Sequence, residues 1–241
     1  MTYRRTGASL GASLCLLASL ARAFEVNPLV HSLAPFEGER DTALTVRNTT
    51  AEELRVEIRV FELALGADGP ERGPDADERL FTLPPAAAIP PGGSQVVRVQ
   101  WLPAEPLERD ASFIVAVEQV SGEAVASAPQ AGVQMLLTFN TVVHVEAAGA
   151  RPELRAEAAT LDGGARLRFE LVNEGRGNAY GERLSLTLAD GRRSVPLTPA
   201  ELSAQGVNLF LPPDARQAVE LTAPSGRWRA PLEIEVEYAE R

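Results

Sequence analysis

The chain has 241 residues, of which 33 are acidic and 23 basic, giving a net charge of −10. Every basic residue is an arginine, so there is no lysine to form a Schiff base or serve a phosphate-binding loop. An acidic chain without a basic run is also a poor match for nucleic acid. One cysteine, Cys15, excludes internal disulfides and cysteine-rich zinc centres, and two histidines, His31 and His144, leave little for a histidine-built metal site.

Arg4 and Arg5 precede a small, apolar run from Ala8 to Leu20, and Ala21-Arg22-Ala23 has the small-x-small form that signal peptidase reads. The run is about thirteen residues, too short to cross a bilayer. Residues 1–23 are therefore read as a signal peptide cleaved after Ala23, with no membrane span. Leu14 before Cys15 argues against a lipoprotein.

Beyond the leader a two-residue apolar period recurs. It appears at Leu44/Val46, Leu54/Val56/Ile58/Val60, Val97/Val99/Trp101 and Phe113/Val115/Val117. It returns at Leu167/Phe169/Leu171, Leu184/Leu186/Leu188 and Leu232/Ile234/Val236/Tyr238. This is the period of strands with one buried and one wet face. Turn-forming clusters separate them at Gly66–Pro74, Pro90–Gly93, Asp162–Gly164 and Asp190-Gly191. No long helical period interrupts the series, so the chain is expected to be all-β and built of sandwiches.

Gly132–Val145 runs without a breaker and is expected to form one long strand with Val133, Met135, Leu137 and Phe139 on a common face. That face either packs in the chain's own core or stays open as an apolar stripe. The small-residue segment after it, Glu146–Pro152, reads as a linker. The expected domains are 24–148 and 149–241.

The remaining signals are weak. Asn48-Thr49-Thr50 fits a glycosylation sequon but is expected to form a turn between strands. Gly66–Glu78 reads as a solvated hairpin tip, and Asn178 and Tyr180 as parts of a turn. Glu233, Glu235 and Glu237 read as the wet face of a strand, the alternative being a carboxylate site for calcium or acid catalysis. No nucleophile motif, phosphate loop or metal-ligand spacing is present, and neither enzyme activity nor a cofactor is expected.

Four segments together carry a family likeness. Leu83–Val99 combines a diproline, a proline-glycine turn and a Gln-x-x-Arg-apolar strand. Val26-Asn27-Pro28, Leu44–Asn48 and Asn173–Asn178 fall in matching order. The sequence resembles the periplasmic pilus chaperones, two-domain immunoglobulin-like proteins, and is closest in character to their archaic type. The resemblance implies a periplasmic protein that binds pilus subunits and caps their groove with the long strand by β-strand addition. It also implies delivery to an outer-membrane usher without nucleotide hydrolysis. The free protein would either expose the stripe or cover it by self-association. The rival reading is a structural or adhesive immunoglobulin-like component of the appendage itself.

One departure stands out. Where the family carries an arginine and a lysine that anchor the subunit's C-terminal carboxylate, alignment places Val30 and Val142. His31, Asn140 and His144 lie beside those positions and are the candidate replacements.

Overall fold

A two-residue apolar period leaves one face of each strand to be covered, and pairing sheets face to face covers it. The computed structural model describes residues 24–66, 69–121, 135–163, 165–224, 228 and 231–239. The expected leader lies outside them.

The first half contributes β1 (Glu25–Asn27), β2 (Val30–Leu33), β3 (Asp41–Arg47), β4 (Leu54–Gly66) and β5 (Gly69–Asp75). It continues through β6 (Leu80–Leu83), β7 (Ala86–Ile89), β8 (Ser94–Trp101), β9 (Ala111–Gln119) and β10 (Thr138–Val145). One sheet has the order β1-β3-β8-β6; the other runs β2-β10-β9-β4-β5, with β7 also paired to β4. Their inner faces supply one core, in which Leu44, Val97, Val99, Val115 and Val117 are fully buried. Side chains of this kind contribute roughly 1.5–3 kcal/mol each when buried. The rings of Trp101 on one sheet and Phe113 on the other meet at 5.8 Å.

The second half contributes β11 (Leu154–Asp162), β12 (Arg166–Asn173), β13 (Ala179–Tyr180), β14 (Leu184–Ala189), β15 (Ser194–Leu197), α1 (Pro199–Ala204), β16 (Phe210–Leu211), β17 (Arg216–Thr222) and β18 (Glu233–Tyr238). Sheets β11-β12-β17 and β15-β14-β18 enclose a separate core around Leu171, Leu186 and Trp228. On β18, Glu233, Glu235 and Glu237 are exposed and alternate with half-buried Ile234, Val236 and Tyr238. Among the described residues no helix is long and apolar enough to cross a membrane.

Two expectations change. Gly66–Pro74, read as a turn, is mostly strand, because β5 pairs with the end of β4 from Phe61↔Asp75 to Gly66↔Gly69. Its glycines and prolines stand on an edge strand, where the ladder tolerates them. The long strand expected from Gly132 is regular only from Thr138, and residues 122–134 lie outside the described set.

Each half ends a strand on a buried asparagine. Asn48 Nδ2 donates to the carbonyls of Glu52 (2.7 Å), Ile89 (2.9 Å) and Pro90 (3.2 Å), while its Oδ1 accepts from Thr50 N at 2.9 Å. Asn173 Nδ2 donates to Gly177 O (2.8 Å) and Leu211 O (3.0 Å), and its Oδ1 accepts from the Glu153 and Gly175 amides. The sequon asparagine is thus a fully buried turn hub. Both buried side chains bond the loop backbone around them, as buried amides generally do.

The two halves meet at Asp110. One carboxylate oxygen accepts from Ala147 N and the other from Asn178 N, each at 2.8 Å, and Asp110 N donates to Arg176 O at 2.8 Å. Residues 174–177 clasp the connecting segment: the amides of Arg176 and Gly177 both donate to Arg151 O at 2.9 Å. A Cβ on Gly175 would lie 2.3 Å from Glu153 N, so only glycine permits this approach. Asn178 and Tyr180, read as turn residues, stand at this junction.

His31 points from β2 into the first core and is 6% exposed. Its Nδ1 is 2.9 Å from Thr42 Oγ1, and burial pushes its pKa below the ordinary 6.5, outweighing the opposite effect of a hydrogen bond to the Pro28 backbone.

Asn48→Ala leaves three carbonyls without their donor and is expected to cost about 2–3 kcal/mol. That lowers the melting temperature by about 5–10 °C, measurable by circular dichroism. For His31, the unfolded chain takes up the proton as pH falls through about 6.5 while the native chain resists it. Stability contributed by the neutral imidazole is therefore complete above that pH and declines below it, by at most about 1.4 kcal/mol per pH unit. In urea titrations between roughly pH 6.5 and 5, His31→Leu should flatten this slope relative to the parent; an unchanged slope would contradict the assignment.

Candidate functional site: the free edge of β10

β10 pairs antiparallel with β9 from Val145↔Ala111 to Thr138↔Glu118, and Gln119 N extends the pairing by donating to Leu137 O at 2.9 Å. On its other side β2 runs parallel only along Val142–Val145, opening with Val142 N donating to Leu29 O at 2.8 Å. Between Met135 and Thr141 that second edge has no strand partner among the described residues. These two bonds fix which backbone groups face which way. Odd-numbered residues direct their N–H and C=O to β9, and Leu136, Thr138 and Asn140 direct theirs to the open edge.

The side chains grade along the strand. Thr141, Val143 and Val145 are fully buried in the first core. Phe139, on the same face, is half-buried with its ring 4.7 Å from Phe24, edge to face. Leu137 is half-buried against the same core, and Met135 is 74% exposed. The apolar face of the sandwich therefore runs past the end of its own core into solvent. Of the four residues expected on it, Val133 lies outside the described residues. Leu137 and Phe139 are packed rather than open, because the opposite sheet still reaches them. Met135 is the open one.

Val30 and Val142 are register partners on the opposite face, and Val30 is 59% exposed. The two histidines beside them do not converge. His31 pairs with Val143 and lies on the core face, whereas His144 pairs with Ser32 on the outer face. His31 thus lies buried on the core face, away from the exposed surface at Val30 where a carboxylate contact was expected of it. His144 is buried as well: its Nδ1 lies 2.8 Å from Ser112 Oγ, and its ring stands 5.4 Å from Tyr180 and 4.9 Å from Phe210. It joins the two halves and is not open to a ligand.

Asn140 alone among the three is exposed, and it brings a cation that sequence reasoning missed. Arg72 Nη2 donates to Asn140 Oδ1 at 2.9 Å, and its Nη1 donates to Glu118 Oε1. The guanidinium lies 4.8 Å from the centre of the Phe61 ring. Phe61, Ile114 and Ala116 form a small buried cluster on this outer face, and Arg72 and Arg59 cover it. Nothing local announces Arg72, which sits in a stretch of glycine and proline; only the β4–β5 pairing carries it to β10.

Residues 33–145 match the pili and flagellar-assembly chaperones, in the family of the PapD N-terminal domain. No curated protein sequence matches the chain. Among solved structures it is similar to the class 5 fimbriae chaperone CfaA, at 11% identity over 90% of this chain and 100% of that one, with a TM-score of 0.59. It is also similar to a chain of the CsuC–CsuE chaperone–tip subunit pre-assembly complex of the archaic Csu pili of Acinetobacter baumannii. There the identity is 14%, the coverage 82% of this chain and 89% of that one, and the TM-score 0.52. A chain of the Salmonella enterica SafA pilin–SafB chaperone complex gives 14%, 85%, 86% and 0.52 in the same order. At such identities the structures speak for the fold, two immunoglobulin-like sandwiches in tandem. The match over residues 33–145 places that part of the chain in the PapD-like family of pili and flagellar-assembly chaperones.

Proposed function

We propose that this chaperone captures unassembled pilus subunits by adding the Val133–Phe139 segment and the β10 edge behind it to the subunit's incomplete sandwich. The observation that carries the reading is the open edge of β10, which coincides with an apolar face already leaving its own core. The N–H and C=O groups of Leu136, Thr138 and Asn140, which have no strand partner among the described residues, would receive a subunit strand. Val133 and Met135 would plug its groove outright, with Leu137 and Phe139 closing the seam where the two cores meet. Burying an exposed side chain of Met135's size contributes roughly 1.5–3 kcal/mol, so a few positions suffice to dominate affinity.

The carboxylate anchor is reassigned on this reading. His31 and His144 are withdrawn from it, and Asn140 with Arg72 is the polar pair that a subunit's C-terminus meets on the outer face. Val30 and Val142 would contribute apolar contact there in place of charge. We further place cleavage of the leader after Ala23, release into the periplasm, the domain boundary near residue 148, and handover of the captured subunit to an outer-membrane usher. Self-association of the empty protein would cover the same edge.

Side-chain alternation supplies the test. Met135 and Leu136 are adjacent and both exposed, at 74% and 49%, and the alternation of β10 continued back to them puts their side chains on opposite faces. In co-purification from the periplasm, Met135→Glu is expected to weaken subunit capture by about tenfold or more, with the melting temperature unchanged. Leu136→Glu should change capture by only a few-fold. Equal effects at the two positions, or none at either, would contradict strand donation in this register.

A further inference from the structure

We propose that Met135 is a site of reversible oxidation, and that its sulfoxide switches off subunit capture in the empty chaperone. The proposal rests on the strand-donation reading above. Met135 is the most exposed large apolar residue among those described, at 74%. It is also the only sulfur-containing residue after position 23, since the others are Met1 and Cys15. Trp101 and Trp228, the other readily oxidised side chains, are buried at 1% and 6% exposure. Among the described residues a two-electron oxidant thus meets one sulfur, and it is accessible.

The chemistry is direct oxygen transfer. The lone pair of Met135 Sδ attacks the oxygen of a peroxide or a hypohalous acid. An S–O bond forms, the O–O or O–halogen bond breaks, and water or a halide with its proton leaves. Sulfur is oxidised by two electrons and the oxidant is reduced by two. The product exchanges an apolar thioether for a polar S=O acceptor. In the free protein that group stays in water and the fold is unaffected, because the core contacts begin at Leu137. Inside a subunit groove lined with apolar side chains it would be buried without a donor, which is unfavourable. The modification therefore acts on capture and not on stability. A bound subunit would also shield the sulfur, so oxidation would mark empty chaperone and spare loaded chaperone. Sulfoxide reductases can reverse it.

The probe is a pilin subunit from the same genome, produced without its own amino-terminal extension. Parent and Met135→Leu chaperone are treated with hydrogen peroxide, checked by intact mass for addition of one oxygen, and assayed for capture. The parent should gain one oxygen and lose capture by about tenfold or more. Met135→Leu should gain none and capture equally before and after treatment. Parent already bound to the subunit should oxidise at least about tenfold more slowly than free parent. Undiminished capture by parent carrying the sulfoxide would overturn the proposal, as would equal loss in Met135→Leu. If untreated parent and untreated Met135→Leu both fail to capture, strand donation itself is wrong. That outcome is distinct, since the oxidation of free Met135 is read by mass alone.

Discussion

A β-strand has two edges and two faces, and along its first half β10 satisfies one of each. Its β9 edge is paired throughout, but β2 reaches only Val142, so Leu136, Thr138 and Asn140 have no strand partner on that side among the described residues. Exposed edges of this kind normally invite aggregation and are blunted by charge, proline or a covering loop. Here the described part of the edge carries none of these. The inner face is equally unfinished: Val143 is buried, Phe139 half-buried and Met135 open. A half-finished edge and a half-finished face in one strand are complementary to a partner sandwich that lacks a strand.

The junction between the halves keeps that strand in place. The segment that leaves β10 at Val145 is gripped within two residues, where Ala147 N donates to the Asp110 carboxylate. The other oxygen of the same carboxylate holds Asn178 in the second half. His144 adds an edge-to-face contact with Tyr180 and a tilted ring contact with Phe210 on the outer face. The strand proposed to be donated is therefore anchored at one end to both sandwiches, and Leu137 and Phe139 toward its other end pack against the first core. Rigid anchoring lowers the ordering cost of association, which suits a protein that must hold an unfinished subunit and then release it.

Much of the fold was legible in the sequence, because period-two alternation survives wherever one face of a strand is wet. β4, β8, β12 and β14 fall on the alternating runs, and the likeness to pilus chaperones rested on turn residues that tolerate few substitutes. The site was less legible. The pattern in Val133, Met135, Leu137 and Phe139 shows that these residues share a face, but where the core ends along that face depends on the reach of the opposite sheet. The two histidines are close in the aligned cleft positions yet alternate to opposite faces, a consequence of β2 pairing parallel to β10 with His31 beside Val143. Arg72 was invisible because its meaning lies in β4–β5 pairing, and the glycine and proline around it suggested a loop. Long-range register, not local propensity, accounts for each of these differences.

The central claim is that β10 accepts a second strand on its open edge, and amide hydrogen exchange along the strand tests it most directly. In the free chaperone, Leu136, Thr138 and Asn140 should exchange readily while Phe139 and Thr141, which face β9, are protected. In complex with a pilus subunit, the three even-numbered amides should become protected in the same alternating pattern, with little change at their odd-numbered neighbours. Subunit binding that leaves Leu136, Thr138 and Asn140 exchanging as fast as before would contradict strand addition at this edge.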